Sequence, residues 1–404
     1  MKAFEVVIVG AGPAGMAAAV AARKSGASVA VIDDNYTAGG QIWRGAGPFK
    51  DFDSSGTTFL AGARVIDGGP TRRQLTVEAN DVFQIGYSKL ILATGARELF
   101  LPFPGWSLPN IFGVGGLQAL AKSGLSVRGK RIIVAGTGPL LLAVAAYLQD
   151  HGARVPLIAE QASWSNLRSF GIALLRHPSK LRQALQIKRS ILSTSYLPDC
   201  WVTGATGTTS LQEVTLTHAG KQIRERCDYL ATAYGFVPNT ELPQLLGCRL
   251  NGKLVAVDKY QQTSMPDIYC AGEPTGLGGV DESVLEGEIA GYAATGKLIN
   301  PSRKNTAHFS QALNRAFALR PELRAAVTPE TIVCRCEDVP YSRLRQASSW
   351  REAKLHFRCG MGPCQGRICG PAVNYLFDWT AESIRPPIFP TQLQNLITKE
   401  PIHS

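Results

Sequence analysis

The chain has 404 residues, 45% hydrophobic and 18% charged, with a net charge of +11. That length and balance suit two or three cored domains and exclude a disordered or fibrous chain. The charge forms no long lysine or arginine run interleaved with aromatics, which argues against a nucleic-acid binder.

In chain order, Phe4–Val9 reads as a buried parallel strand that runs into Gly10-Ala11-Gly12-Pro13-Ala14-Gly15 and then an alanine-rich helix to about Ser25. This is G-x-G-x-x-G between a strand and a helix. Gly10 allows the tight turn, Gly12 lets backbone approach a pyrophosphate, and Gly15 lets helix and strand pack closely. Pro13 suits the first helical turn, and the helix N-terminus faces the anion. A second strand, Ser28–Ile32, ends at Asp33 and Asp34, where an acid can bind a ribose hydroxyl. The expectation is a dinucleotide site.

Three later segments favour FAD. Gly39-Gly40-Gln41-Ile42-Trp43-Arg44 resembles the isoalloxazine-side loop of disulfide-reductase-type flavoproteins. Leu90–Gly95 is a strand ending in the Ala-Thr-Gly of that superfamily, and Asp267–Glu273 resembles its late FAD motif, with Glu273 in place of the usual aspartate. Tyr234–Asn239 matches the G-x-x-P-N that precedes the return to the FAD domain. By that resemblance Gly10, Gly12, Pro13, Ala14, Gly15, Asp33, Asp34, Gly40, Gln41, Arg44, Val65, Thr94, Gly95, Gly272 and Glu273 contact the cofactor. The redox C-x4-C of disulfide reductases is missing, since no cysteine precedes Cys200. Cys200, Cys227, Cys248 and Cys270 are scattered and read as buried small hydrophobes.

A second strand, loop and helix follow at Arg131–Ala135 and Gly136-Thr137-Gly138-Pro139-Leu140-Leu141. Its partner strand, from Arg154, ends at Glu160. Leucine at 141 replaces the third glycine and should keep the helix away from the strand. Gly136, Gly138 and Glu160 are the residues of a second nucleotide site. A structural domain, a site for another nucleotide such as FMN there or at an interface, and NAD(H) binding all stay open. Glu160 disfavours a 2′-phosphate.

Near the C-terminus Cys334-Arg335-Cys336 precedes two expected helices, Tyr341–Ala347 and Trp350–Phe357. Cys364 and Cys369 follow in a glycine-rich loop, giving C-x-C-x27-C-x4-C. Two thiol pairs can hold one inorganic centre. Zinc sites favour C-x2-4-C knuckles, so zinc is the weaker alternative, and a metal-free site is the other. The last 104 residues carry 14 Lys+Arg against 8 Asp+Glu, a basic setting that would favour an anionic cluster.

The spacing resembles the bacterioferritin-associated-ferredoxin-like [2Fe-2S] module, with Cys334, Cys336, Cys364 and Cys369 as ligands by that resemblance. Cys359 falls outside the pattern. The phrases GGQIWR, ATGARE, CAGEPTGLGGVDESVLEGEIAG and GMGPCQGRICG together resemble the α subunit of heteromeric flavin-dependent amino-acid dehydrogenases. That group includes D-hydroxyproline dehydrogenase, opine oxidase and hydrogen cyanide synthase. The resemblance implies an α/β fold with two Rossmann-like domains plus a small helical [2Fe-2S] domain. It also implies FAD and a [2Fe-2S] cluster as cofactors. The implied partner is a β subunit similar to D-amino-acid oxidases, with or without a small γ subunit. No residue of this chain is expected to act as acid, base or nucleophile. The rival expectation is a stand-alone NAD(P)H-dependent flavin and iron-sulfur reductase.

The expected domains are an FAD domain over 1–113 and 240–300, a second Rossmann-like domain over 114–239, a linker over 301–330, the cluster module over 331–378 and a proline-rich tail over 379–404. With no secretory leader apparent, nine cysteines argue against a disulfide scaffold. No uninterrupted apolar run approaches the about 20 residues that span a bilayer. The expected location is the cytoplasm, with peripheral membrane association through the complex left open.

Overall fold

The computed structural model describes residues 2–44, 50–175, 181, 182, 186, 191–299, 306–381 and 383–396. They form two compact units.

The first unit comprises 1–97, 237–304 and 382–404. Its sheet has seven strands in the order Thr58–Ala61, Val29–Asp33, Lys2–Val9, Val82–Leu92, Gln74–Glu78 and Arg64–Gly69, with Ile268–Cys270 added beside Leu90–Leu92. The central strands pair in parallel, Val6–Val9 against Val29–Ile32 and against Lys89–Leu92. Their apolar residues are buried on both faces, as a covered parallel sheet requires. Helix Pro13–Lys24 packs along helix Val280–Ala294. A β-carbon on Gly287 would lie 2.1 Å from the Ala14 carbonyl oxygen, and one on Gly291 2.3 Å from that of Ala18. Only glycine permits this approach. The proline-rich tail joins this unit. Ile388 donates its N–H to the Ile66 carbonyl, and Arg64 lies over the Phe389 ring.

The second unit comprises 98–236 and 305–381. A parallel sheet runs Ser195–Leu197, Arg154–Glu160, Arg131–Gly136, Tyr229–Ala233 and Ile111–Gly113. An antiparallel meander, Cys200–Thr206, Glu213–His218 and Lys221–Arg226, caps it. The cysteine-bearing segment shares this unit. Its helices are Tyr341–Leu344, shorter than expected, then Trp350–Phe357 and Cys369–Phe377. It is tied to the Rossmann part by the Trp106 indole N–H, which donates to the Ile332 carbonyl at 2.5 Å, and by Arg335 over the Trp106 ring. The expected linker is helical over Thr306–Ala316 and Glu322–Ala325. Residues 301–305 of the expected linker and 382 and 397–404 of the expected tail lie outside the described residues. Among the described residues no helix is long and apolar enough to cross a membrane.

Candidate functional site: one open nucleotide loop, one closed loop and a thiol cluster

In the first unit the turn after Val9 brings Gly10 under strand Val82–Leu92. A β-carbon on Gly10 would sit 2.1 Å from the Ala93 carbonyl, and one on Gly15 only 1.8 Å from the Gly10 carbonyl. At Gly12, the N-cap of helix Pro13–Lys24, a β-carbon would meet nothing within 4 Å, and no side chain caps the helix. Free helical N–H groups and open space at one point make an anion seat. Pro13 and Ala14 are the first residues of that helix.

Asp33 ends its strand half-buried. One carboxylate oxygen accepts the Ala11 N–H at 2.5 Å, and the other accepts the Asn35 backbone N–H at 2.8 Å. Asp34 beside it is exposed. Its carboxyl is raised from the usual value, first by desolvation and then by Asp33, with Arg64 and Arg44 opposing. Arg44 donates to Asn35 Oδ1 at 2.9 Å, yet its Nε is buried without a partner among the described residues, as is Arg64 Nε. Orphaned buried donors beside an open glycine turn fit an anionic dinucleotide.

The other expected FAD residues fall around the same strand ends. Gly40 lies against the loop, where a β-carbon would be 3.1 Å from Gly12 Cα, and Gln41 follows it. Thr94 and Gly95 interlock with Asn239: Thr94 Oγ1 donates to the Asn239 carbonyl at 2.7 Å, and the Asn239 amide donates to the Thr94 carbonyl at 2.8 Å. Gly272 N–H donates to Glu286 Oε2 at 2.8 Å, and Thr275 donates to the same oxygen. Glu286 was not singled out from the sequence, although it lies in the phrase that carries the motif. Glu273 accepts the Ala96 N–H and is raised by burial. Val65 is core, 4% exposed, so only its backbone is available to a cofactor.

The second loop has the same plan and a different outcome. Gly136 still approaches the next strand, with its β-carbon position 1.9 Å from the Ala233 carbonyl. Leu141 is fully buried in the core, and helix Leu140–Asp150 starts one residue later than its counterpart. Glu160 is also fully buried. It accepts the Gly138 N–H at 2.8 Å and the Ala162 N–H at 2.9 Å. Burial raises its carboxyl to about 7, opposed by those N–H groups and by hydrogen bonds from Thr137 and Tyr196. Unlike half-buried Asp33, Glu160 presents no surface to a ribose.

The approach to Thr137 and Gln161 is occupied by residues 317–320. Gln161 is 1% exposed; its amide donates to Thr137 Oγ1 at 3.0 Å and to the Ala318 carbonyl at 2.9 Å. Its own Oε1 accepts the Arg320 N–H at 3.0 Å. Thr137 Oγ1 lies 3.4 Å from the Phe317 carbonyl oxygen, and Phe317 meets the Phe170 ring edge-on. Arg320 reaches Asp199 at 2.8 Å and stacks 3.8 Å above the Trp201 ring. At Thr137 and Gln161 the carboxyl ends of two parallel strands, where a Rossmann unit holds its nucleotide, are covered by residues 317–320, while a β-carbon on Gly138 would meet nothing within 4 Å.

The thiols lie close by in sequence. The Sγ atoms of Cys334, Cys359 and Cys369 are within 4.8 Å of one another, and all three residues are buried. Cys364 contacts Cys369 and Cys336, so the four expected ligands and Cys359 form one connected group. Backbone N–H groups point at sulfur: Gly360 and Glu337 at Cys334, Cys364 at Cys336, Ile368 and Gly366 at Cys364. Cys334 is held well below the usual thiol range by hydrogen bonds from Cys359 and Cys369, and Cys364 by Cys369. Cys369 and Cys359 are pushed up, first by their bond to Cys334. Glycine makes the loop fit: a β-carbon on Gly362 would lie 2.3 Å from Cys336 Cβ, and one on Gly360 2.7 Å from the Trp350 ring. An all-sulfur donor set fed by backbone N–H groups suits a soft metal or an iron-sulfur centre. Cys200, Cys227, Cys248 and Cys270 are buried core residues and are not among the contacting thiols.

Residues 4–290 match the pyridine nucleotide-disulphide oxidoreductase family. Over 97% of its length the chain is 30% identical to an opine oxidase subunit of Rhizobium meliloti, covering 87% of that protein. It is 31% identical to hydrogen cyanide synthase subunit HcnB of Pseudomonas aeruginosa, with 90% of each covered. Among solved structures, L-proline dehydrogenase from P. horikoshii superposes with a TM-score of 0.69 at 18% identity, over 98% of this chain and 79% of that one. Thioredoxin reductase of T. acidophilum gives 0.59 at 23% identity, over 73% and 99%.

Proposed function

The chain belongs to the pyridine nucleotide-disulphide oxidoreductase family, in the group of the opine oxidase and HcnB subunits, and from that premise we propose that it is the electron-carrying subunit of a heteromeric amine-oxidising dehydrogenase. It is an oxidoreductase subunit whose own residues bind and tune cofactors while a partner, similar to D-amino-acid oxidases, oxidises the substrate. FAD supplies a two-electron carrier and a [2Fe-2S] centre a one-electron carrier. The N–H groups of Gly12, Ala14 and Gly15 would seat the pyrophosphate, Asp33 the ribose, and Arg44 the anionic side of the cofactor. Glu273 would meet the ribityl chain. Cys334, Cys336, Cys364 and Cys369 would hold the irons, and the N–H groups of Gly360, Glu337, Gly366 and Ile368 would temper their charge.

The observation that carries this reading over a self-contained NAD(P)H reductase is the closed second loop. Glu160 is fully buried and residues 317–320 cover Thr137 and Gln161. This cover over the second loop supports delivery of electrons by another subunit rather than by a nicotinamide bound there. To test it, the complex purified with its native partner is reduced anaerobically with D-hydroxyproline, with an opine and with NADH in parallel. An amine should bleach the flavin and raise a reduced [2Fe-2S] EPR signal. NADH should do neither. Zinc without iron on metal analysis would sink the cluster assignment.

A further inference from the structure

Strand Arg64–Gly69 is the last in its sheet, so one row of its backbone groups faces no further strand. The proline-rich tail lies along it. Ile388 is buried and donates its N–H to the Ile66 carbonyl at 2.9 Å, and Ile384 and Phe389 pack on the core that holds Val65. Farther along, Thr391 Oγ1 and the Asn395 amide both donate to Glu78 Oε1.

Glu78 is the residue opposite Arg64 in the antiparallel ladder. The tail thus engages the acid across from Arg64, and Phe389 takes the arginine itself, with Arg64 Cζ 5.1 Å from the ring centroid. Arg64 Nε is buried without a partner, and among the described residues its guanidinium makes no hydrogen bond or ion pair. Arg320, stacked on Trp201, spends its guanidinium on Gln161 and Asp199. The tail holds Arg64 by its flat face and leaves its donors open.

Those donors stand at the acid end of the first glycine loop. Gly62 N–H donates to the Asn35 carbonyl at 3.1 Å and Ala63 N–H to the Asp33 carbonyl at 2.9 Å. Arg64 therefore starts its strand beside Asp33 and Asp34, two carboxylates where an anionic dinucleotide is expected. A cation is needed there to offset them, and arginine offers a planar fork that pairs with phosphate oxygens.

We propose that the proline-rich tail completes the adenosine end of the flavin site, with Phe389 holding the Arg64 guanidinium for the AMP half of FAD. This rests on the FAD reading above. Arg64 is the binding residue and Phe389 a positioning residue that acts through it.

The test is calorimetric titration of FAD and of ADP into the full-length chain stripped of flavin, with the thermal unfolding midpoint reporting the fold. Arg64→Ala should weaken both ligands roughly 10- to 100-fold, the equivalent of one charge-assisted hydrogen bond. Phe389→Ala should weaken both about threefold to tenfold, in the range of a partly desolvated cation–π contact. Phe389→Tyr, which keeps a ring, should restore most of that loss. The double variant should bind no worse than Arg64→Ala alone, because the two residues act as one unit. If alanine at 64 does not fold, Arg64→Met keeps the packed stem and should show the same loss. Unchanged ADP affinity in a folded position-64 variant would overturn the proposal. Additive losses in the double variant would overturn the role of the tail. Unmutated chain that binds neither FAD nor ADP would defeat the FAD reading itself.

Discussion

The two glycine loops of this chain share one backbone plan and stand in different surroundings. Around the first, Asp33 is half-buried and Asp34 is exposed; a β-carbon on Gly12, like one on Gly138 of the second loop, would meet nothing within 4 Å. Around the second, Glu160 and Gln161 are 0% and 1% exposed, and residues 317–320 close the strand ends. The lesson is that a dinucleotide motif reports a backbone turn. Whether it binds depends on what the rest of the chain lays across it. Here the closed unit has become the seat of the cysteine segment, through Gln161, Arg320 and Trp106.

The largest expected effect comes from making the first loop resemble the second. Gly15→Leu puts a β-carbon where only 1.8 Å separates it from the Gly10 carbonyl. FAD content, read from flavin absorbance of the purified protein, should fall to near zero, and retained stoichiometric FAD would show the turn can adjust. Cys364→Ser should abolish the [2Fe-2S] EPR signal while leaving FAD bound. That outcome separates the thiol cluster from the flavin loop, and survival of the signal would mean the ligand set is wrong.

Smaller changes probe the closure. Arg320→Ala removes bonds to Gln161 and Asp199 and the stacking on Trp201. Losing charged hydrogen bonds and a desolvated cation–π contact should cost roughly 2–4 kcal/mol in denaturant unfolding. Hydrogen exchange should then rise at residues 311–320. No change in either would show that the contact does not hold the segment. Asp33→Ala should weaken FAD binding by roughly 10- to 100-fold, the equivalent of one charge-assisted hydrogen bond.

The smallest signal is a pH slope. Glu160 has a folded value of about 7 against an ordinary 4.5, raised chiefly by burial. The folded chain therefore keeps a proton that the unfolded chain releases. Its contribution to stability is full below about pH 4.5 and is lost as pH rises to about 7. Glu160→Gln should flatten that window by up to about 1.4 kcal/mol per pH unit. An identical slope in both proteins would mean Glu160 is ionised throughout.

Much of this was legible locally. Gly10, Gly12 and Gly15 stand where their spacing implied, because a turn between strand and helix is set by a few neighbouring residues. Thr94 and Asn239 each lie in a motif, but their hydrogen bonds to one another were not implied by either. The closure was not legible. Gln161 and Arg320 are 159 residues apart, and neither belongs to a recognisable pattern. Cys359 was visible as a thiol, but its burial between Cys334 and Cys369 depends on the left-handed turn at Arg358. The tail gave only its prolines, while its seat beside Ile66 needs the sheet to exist first.

The most direct test of the contrast is an anaerobic NADH titration of the isolated, FAD-loaded chain, followed by flavin absorbance, with dithionite as the positive control. The closed second loop predicts that dithionite bleaches the flavin and NADH in large excess leaves it oxidised. Bleaching by NADH at a rate comparable to turnover would contradict the account.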